Sequence, residues 1–202
     1  MKKYISLFIS LMISLFVSNC TTIKRTNTPI NDYLTSLNLK NKKIMIIQEK
    51  INNNITIGIF KGETLDFAEP NTTIIGEGAQ EPIYDEVLWE NMKKKYEDLN
   101  HRDYWIKGKY WTKYDFKHND ITFIKLEKFP NPGKYEKFDF KEILDVFSFS
   151  EVIYYNNKKY AVFTLQKTNT DVLFIGKASI LIMEKINSKW EIVQEVSDGI
   201  YN

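Results

Sequence analysis

Residues 178–196 read ASILIMEKINSKWEIVQEV. Two strand-forming runs, Ala178 to Lys185 and Trp190 to Val196, flank Ile186-Asn187-Ser188-Lys189, and polar turn residues between apolar runs are the signature of a β-hairpin. Ile180 and Ile182, like Trp190 and Ile192, stand at alternate positions, the period that lines one face of a strand. The stretch before it has the same layout: Val152 to Tyr155 and Tyr160 to Leu165 flank Asn156-Asn157-Lys158-Lys159. Two such units are too few to establish a repeat. They do predict successive antiparallel strands, which must be extended and covered by the rest of the chain.

Working back from these hairpins, Ile121 to Leu126 is a further strand, ended by Pro130-Asn131-Pro132-Gly133, and Phe140 to Phe147 reads as a short helix. Asp85 to Leu99 is the clearest helix. Leu88, Met92, Tyr96 and Leu99 recur at near-helical spacing, Asp85 suits the cap, Glu86 the first turn and Asn100 the stop. Thr64 to Pro82 carries Pro70, Gly76, Gly78 and Pro82 and is mostly loop, with Thr72 to Ile75 strand-like. Ile44 to Gln48 and Ile55 to Phe60, separated by Asn52-Asn53-Asn54, read as a hairpin. The expected class is α+β: a mostly antiparallel sheet built from hairpins, with one or two covering helices.

A chain of 202 residues, 43% hydrophobic and 27% charged, has room for one sizeable core. Its formal charge is +2, from 28 basic and 26 acidic residues; without Lys2 and Lys3 the basic count is 26 and the balance is zero. A neutral chain offers no clustered basic excess for nucleic acid.

Lys2 and Lys3 are followed by an apolar stretch from Tyr4 to Val17, broken only by Ser6, Ser10 and Ser14, and then by Ser18-Asn19-Cys20. The order is that of a secretory signal. The stretch is shorter than the ~20 residues that span a bilayer as a helix. Val17, Ser18 and Cys20 resemble the lipobox of bacterial lipoproteins, with Asn19 in place of the commoner Gly, Ala or Ser. That resemblance covers Met1 to Cys20 and implies cleavage before Cys20, a diacylglyceryl group on its thiol and acylation of the new amino terminus. Two or more acyl chains anchor stably where one holds only marginally. Cys20 is the sole cysteine, so its lipidation removes any disulfide from the expected fold. Thr21 is not the Asp that resembles an inner-membrane retention mark, and no acidic cluster follows Cys20. The implied location is the outer membrane, facing the periplasm. The paired hairpins from Phe149 to Val196, ending in Lys-Trp-Glu-Ile-Val, are loosely similar to the closing strands of uncharacterised lipoproteins from AT-rich bacteria, which implies no activity.

Three segments follow: 1–19 as signal peptide, 20–43 as lipidated N-terminus and polar tether, and 44–202 as a single globular domain. The tether is rich in Thr, Asn and Lys, and its apolar cluster at Tyr33, Leu34, Leu37 and Leu39 allows one short helix near its end.

Chemistry-bearing motifs are sparse. His101 and His118 are the only imidazoles, and neither a His-x-x-x-His nor a Cys-x-x-Cys pair occurs, so no metal or cofactor is expected. No Gly-x-Ser-x-Gly elbow singles out a nucleophile, and no catalytic residue is assigned. Gly76-Glu77-Gly78 precedes a helix, but Glu81 stands where a dinucleotide fingerprint needs its third glycine. The tract from Tyr104 to His118 stands apart. Tyr104, Trp105, Tyr110, Trp111, Tyr114 and Phe116 are interleaved with Lys107, Lys109, Lys113 and Lys117 around Gly108. Aromatic faces beside cations can stack on sugars, bind anionic ligands or form a protein interface, with Trp105, Tyr110 and Trp111 as the candidate binding residues. The competing expectation is a hairpin turning near Gly108, with one set of aromatics in the core.

Two function classes follow. One is a non-enzymatic envelope protein, a binding module attached through lipid on Cys20, whose partner is an envelope protein or glycan. The other is a lipid-anchored hydrolase of envelope polymers using His101 or His118.

Overall fold

In the computed structural model, residues 28–39, 42–65, 73–100, 102–129, 142–171 and 177–198 are described. The signal peptide, Cys20, His101, the turn at Pro130 to Gly133 and the start of the helix expected from Phe140 lie outside them. The order is α1 (Thr28–Ser36), β1 (Ile44–Ile47), β2 (Glu49–Ile51), α2 (Asn53–Lys61), β3 (Glu63–Leu65), β4 (Thr73–Ile75), α3 (Glu86–Tyr96) and β5 (Trp105–Tyr110). It continues with β6 (Ile121–Ile124), β7 (Asp145–Phe149), β8 (Ile153–Tyr155), β9 (Tyr160–Asn169), β10 (Ala178–Ile186) and β11 (Lys189–Ser197).

The two hairpins form as their turns dictate. Asn187 and Ser188, the two-residue turn between Ile186 and Lys189, take φ values of 48° and 70°, and Asn156, Asn157 and Lys158, in the four-residue loop between Tyr155 and Tyr160, take 48°, 52° and 67°, the left-handed region that Asn tolerates. Around them runs a seven-stranded sheet in the order β11-β10-β9-β7-β1-β6, with β8 also beside β9. β7 through β11 pair antiparallel, whereas β1 runs parallel to both β7 and β6. The fold is α+β with a mostly antiparallel sheet.

Both faces of this sheet are buried. Phe163, Leu165, Leu181 and Met183 meet Ile30, Tyr33 and Leu34 of α1, while Val162, Ile180 and Ile182 share a second cluster with Ile55 and Ile59 of α2 and Trp89 and Met92 of α3. A β-bulge lets β11 serve both. Ile182 pairs with Gln194 but Met183 with Ile192, so Val193 has no partner and the alternation flips there. Trp190 therefore joins the α1 side and Val196 the other. Ile180 and Ile182 do not share a face with Trp190 and Ile192, since paired residues point the same way and Met183 and Lys185 are their partners.

Two sequence expectations are corrected. Ile55 to Phe60 is not a hairpin strand but the body of α2: the Asn52 side chain accepts from the Asn54 N–H at 3.0 Å as an N-cap, and the Gly62 N–H closes the other end on Gly58 and Ile59 carbonyls. Ile55, Thr56, Ile57, Ile59 and Phe60 are all buried, so this helix lacks the polar stripe that would have revealed its period. The expected helix ending at Phe147 is replaced by β7, which β1 and β9 sandwich by hydrogen bonding. The short helix allowed in the tether is α1, whose Ile30, Tyr33 and Leu34 are buried against the sheet, so Thr28–Ser36 packs with the body that continues from Ile44. Among the described residues the covering helices number three.

Between α2 and the loop before α3, backbone meets backbone. The Gly76 N–H donates to the Gly62 carbonyl at 2.6 Å and the Ala79 N–H to the Phe60 carbonyl at 2.7 Å. A Cβ on Gly78, whose φ is 68°, would stand 2.7 Å from Gly62 N and Lys61 C. These glycines make a seam.

Gly78→Ala is therefore expected to cost about 2–3 kcal/mol in denaturant unfolding, against about 1 kcal/mol for Gly108→Ala, where φ is also positive but nothing lies within 4 Å. A second expectation concerns alkali. Burial against Phe149 and Phe163, with Glu195 and Asp145 carboxylates adding repulsion, pushes the Tyr33 phenol from 10.0 up to about 12. An unfolded tyrosine releases its proton near 10, so from pH 10 the unfolded state binds fewer protons and stability falls until about pH 12. Urea midpoints measured at pH 9 and pH 11.5 should drop less in Tyr33→Phe than in the parent chain.

Candidate functional site

The aromatic and lysine tract does not fold on itself. β5 pairs with β2 instead: Trp105 opposes Ile51, Ile106 opposes Lys50, and Tyr110 opposes Glu49, so Lys107, Gly108 and Lys109 are extruded between successive partners. Gly108 takes φ 81° at that excursion, where the sequence suggested a hairpin turn.

This register separates the three candidate binding residues. Trp111 is 1% exposed, donates Nε1–H to the Phe149 carbonyl at 3.1 Å and packs on Phe116 at 5.4 Å. Lys50 covers it, with Nζ 4.3 Å from the ring centroid and 2.8 Å from a Glu151 carboxylate oxygen. Neither face of Trp111 is left for a ligand to stack on. Trp105 is half-buried, edge-on to Tyr104 and wedged between two apolar clusters. Tyr110 alone is well exposed. The three candidate residues are thus one core tryptophan, one wedged tryptophan and one surface tyrosine.

His118 sits on a loop, its Nε2 3.0 Å from the Lys42 carbonyl oxygen. Among the described residues no group of three His, Cys, Asp or Glu side chains is placed to hold a metal. A buried hydroxyl cluster lies under α2: Thr56 Oγ1 is 2.7 Å from Thr164 Oγ1 and 3.0 Å from Ser150 Oγ, which accepts the Thr164 N–H at 2.8 Å. Its role is structural. Both β7 and β8 run along one side of β9, and at the break between them Ser150 Oγ accepts the N–H that a continuous strand would have paired.

A groove of about 480 Å³ lies between the end of β4 and the last residues of β11. Glu77, Gln80, Lys177, Gln194 and Glu195 line it, with Gly76 and Gly78 forming backbone wall. The Gln80 N–H donates to Gln194 Oε1 at 3.2 Å, and Ser179 Oγ–H donates to Glu195 at 2.8 Å. Amides, carboxylates and one ammonium can hydrogen-bond a polyhydroxyl or peptide ligand, with exposed Ile75 at the mouth as an apolar contact. Among the described residues that line it there is no imidazole and no thiol. Sequence reasoning missed this groove because its residues come from a loop and the C-terminal strand more than a hundred positions apart; the Gly76/Gly78 pair was the sole local sign.

Comparison with family models, with curated proteins and with solved structures finds no match to this chain.

Trp111→Ala should act on the fold before any ligand. A loss of about 3–5 kcal/mol in chemical unfolding is expected, while Trp111→Phe, which keeps a ring but strands the Phe149 carbonyl, should lose about 1–3 kcal/mol. A Trp111→Ala chain with parental stability would show that the ring is not a core element.

Proposed function

We propose that this chain is a bacterial envelope lipoprotein, held by lipid on Cys20 at the outer membrane and facing the periplasm, whose folded body is a non-enzymatic binding module. The anchor rests on the lipobox resemblance of Val17 to Cys20. The observation that carries the binding reading is the groove beside β11, lined by the amide side chains of Gln80 and Gln194 and the carboxylates of Glu77 and Glu195 against a backbone wall. That chemistry suits a glycan or an extended peptide of the envelope, which offers donors and acceptors along its length. The hydrolase alternative gains no support from His118, which engages a backbone carbonyl on a loop outside the groove.

Two measurements test the two parts. Cells expressing the full chain should incorporate radiolabelled palmitate, and Cys20→Ser should abolish the label; unchanged labelling would mean another acceptor. The detergent-solubilised full chain should sediment with purified peptidoglycan sacculi, and Glu77→Ala with Glu195→Ala should weaken that by about tenfold, as expected for two lost polar contacts to a ligand. Equal sedimentation of parent and variant, or none by the parent, would sink the glycan form of the groove reading. Turnover of sacculi by the parent chain would favour the hydrolase.

A further inference from the structure

The first turn of α1 is clamped to the tract that follows β5. Asn31 donates Nδ2–H to the Asp115 carbonyl at 3.0 Å and accepts the Lys117 N–H on Oδ1 at 2.6 Å. Thr28, where the described chain begins, lies within one helical turn of Asn31. Cys20 is eight residues before Thr28, and eight peptide units reach at most about 28 Å. A lipid on Cys20 therefore stays within about 28 Å of Thr28, at the end of α1 that Asn31 ties to Asp115 and Lys117.

The chemistry there is that of an interfacial surface. Tyr114 is 66% exposed and Tyr110 46%. Lys113 and Lys117 are exposed, and neither is ion-paired among the described residues; Lys113 Nζ stands 5.2 Å from the Tyr114 ring centroid. Asp115, the one acidic residue from 110 to 117, is folded back, its Oδ2 accepting both Thr112 N–H and Oγ1–H at 2.8 Å. That box orders the single turn from Lys113 to Asp115. Tyrosine rings favour the headgroup level of a bilayer, and exposed lysines are drawn to anionic lipid.

We infer that Tyr110, Lys113, Tyr114 and Lys117 dock on an anionic phospholipid surface, so that the folded body lies with its α1 side to the membrane and the β11 groove away from the anchor's attachment point. This rests on lipidation of Cys20 as proposed above.

The test uses the full chain, purified from membranes with its lipid attached and reconstituted in vesicles of phosphatidylcholine alone or mixed with phosphatidylglycerol. Asn119→Cys or Asn91→Cys, both at exposed positions, carries a nitroxide; with Cys20 acylated, each offers one free thiol. On anionic vesicles the label at 119 should lose access to a water-borne paramagnetic quencher and regain it in about 1 M salt, where the screening length is only about 3 Å. The label at 91, on α3, should stay accessible throughout. Lys113→Glu with Lys117→Glu should erase the loss at 119 with near-ultraviolet dichroism unchanged. Equal access at 119 on both vesicle types overturns the inference, and so does protection seen in native membranes but not in pure lipid, which would assign this face to a protein partner. Two nitroxides per chain without palmitate would instead mean that Cys20 is free, removing the anchor and the inference with it.

Discussion

Every residue of β9 from Tyr160 to Leu165 is buried, and a strand buried on successive residues is buried on both faces. Most of the architecture answers that constraint. Each large apolar side chain removed from water is worth about 1.5–3 kcal/mol, so neither face can be left to solvent. One is covered by α1, a nine-residue helix too short to persist alone and held by Ile30, Tyr33 and Leu34 against the sheet. The other is covered by α2 and α3. The same demand explains the bulge at Val193, which lets one edge strand send Trp190 to the first face and Val196 to the second.

Two-sided burial also marks the boundary of what the sequence discloses. The two C-terminal hairpins were legible because their turns are local chemistry: Asn156-Asn157 and Asn187-Ser188 accept positive φ whatever surrounds them. The body of α3 was legible because one side remains wet and because Asp85 caps it by accepting the Leu88 N–H at 2.9 Å, but its end was not: it stops at Tyr96, and Leu99, counted in the expected stripe, is exposed beyond it. α2 was not. A helix enclosed by sheet, α3 and the glycine loop is apolar all round, and a short apolar run rich in isoleucine has no period to distinguish it from a strand. Asn52 to Asn54 added to the confusion, since Asn serves an N-cap as well as a turn. The parallel pairing of β1 with β6 and β7 joins segments far apart in sequence, and nothing local encodes it.

For the candidate site the division is sharper. The composition of the tract after Tyr104 was plain, but which ring faces solvent depends on the excursion at Lys107 to Lys109, and that excursion is set by pairing with β2 rather than by the tract itself. Without it, Trp111 and Tyr110 would be assigned by simple alternation; with it, Trp111 enters the core and its indole N–H satisfies a β7 carbonyl. Beyond the Gly76/Gly78 pair the groove has no sequence signature, because a surface cleft between a loop and a strand end is a product of topology.

Placing α1 inside the folded body changes what an anchor at Cys20 would do. A tether reaching from Cys20 to Ile44 would allow about 80 Å of travel, over which a domain samples all orientations. Ending at Thr28, it allows about 28 Å, and the volume open to the attachment point shrinks roughly twentyfold. Weak surface contacts matter only in the second case, because confinement supplies most of the effective concentration that a lysine or a tyrosine ring lacks alone. The Asn31 clamp then gives orientation a structural basis, since it makes the end of the tether and the exposed limb at Lys113 to Lys117 a single rigid corner of the molecule. Under the proposed anchor, the buried helix that completes the core would also set which side of the body meets the membrane.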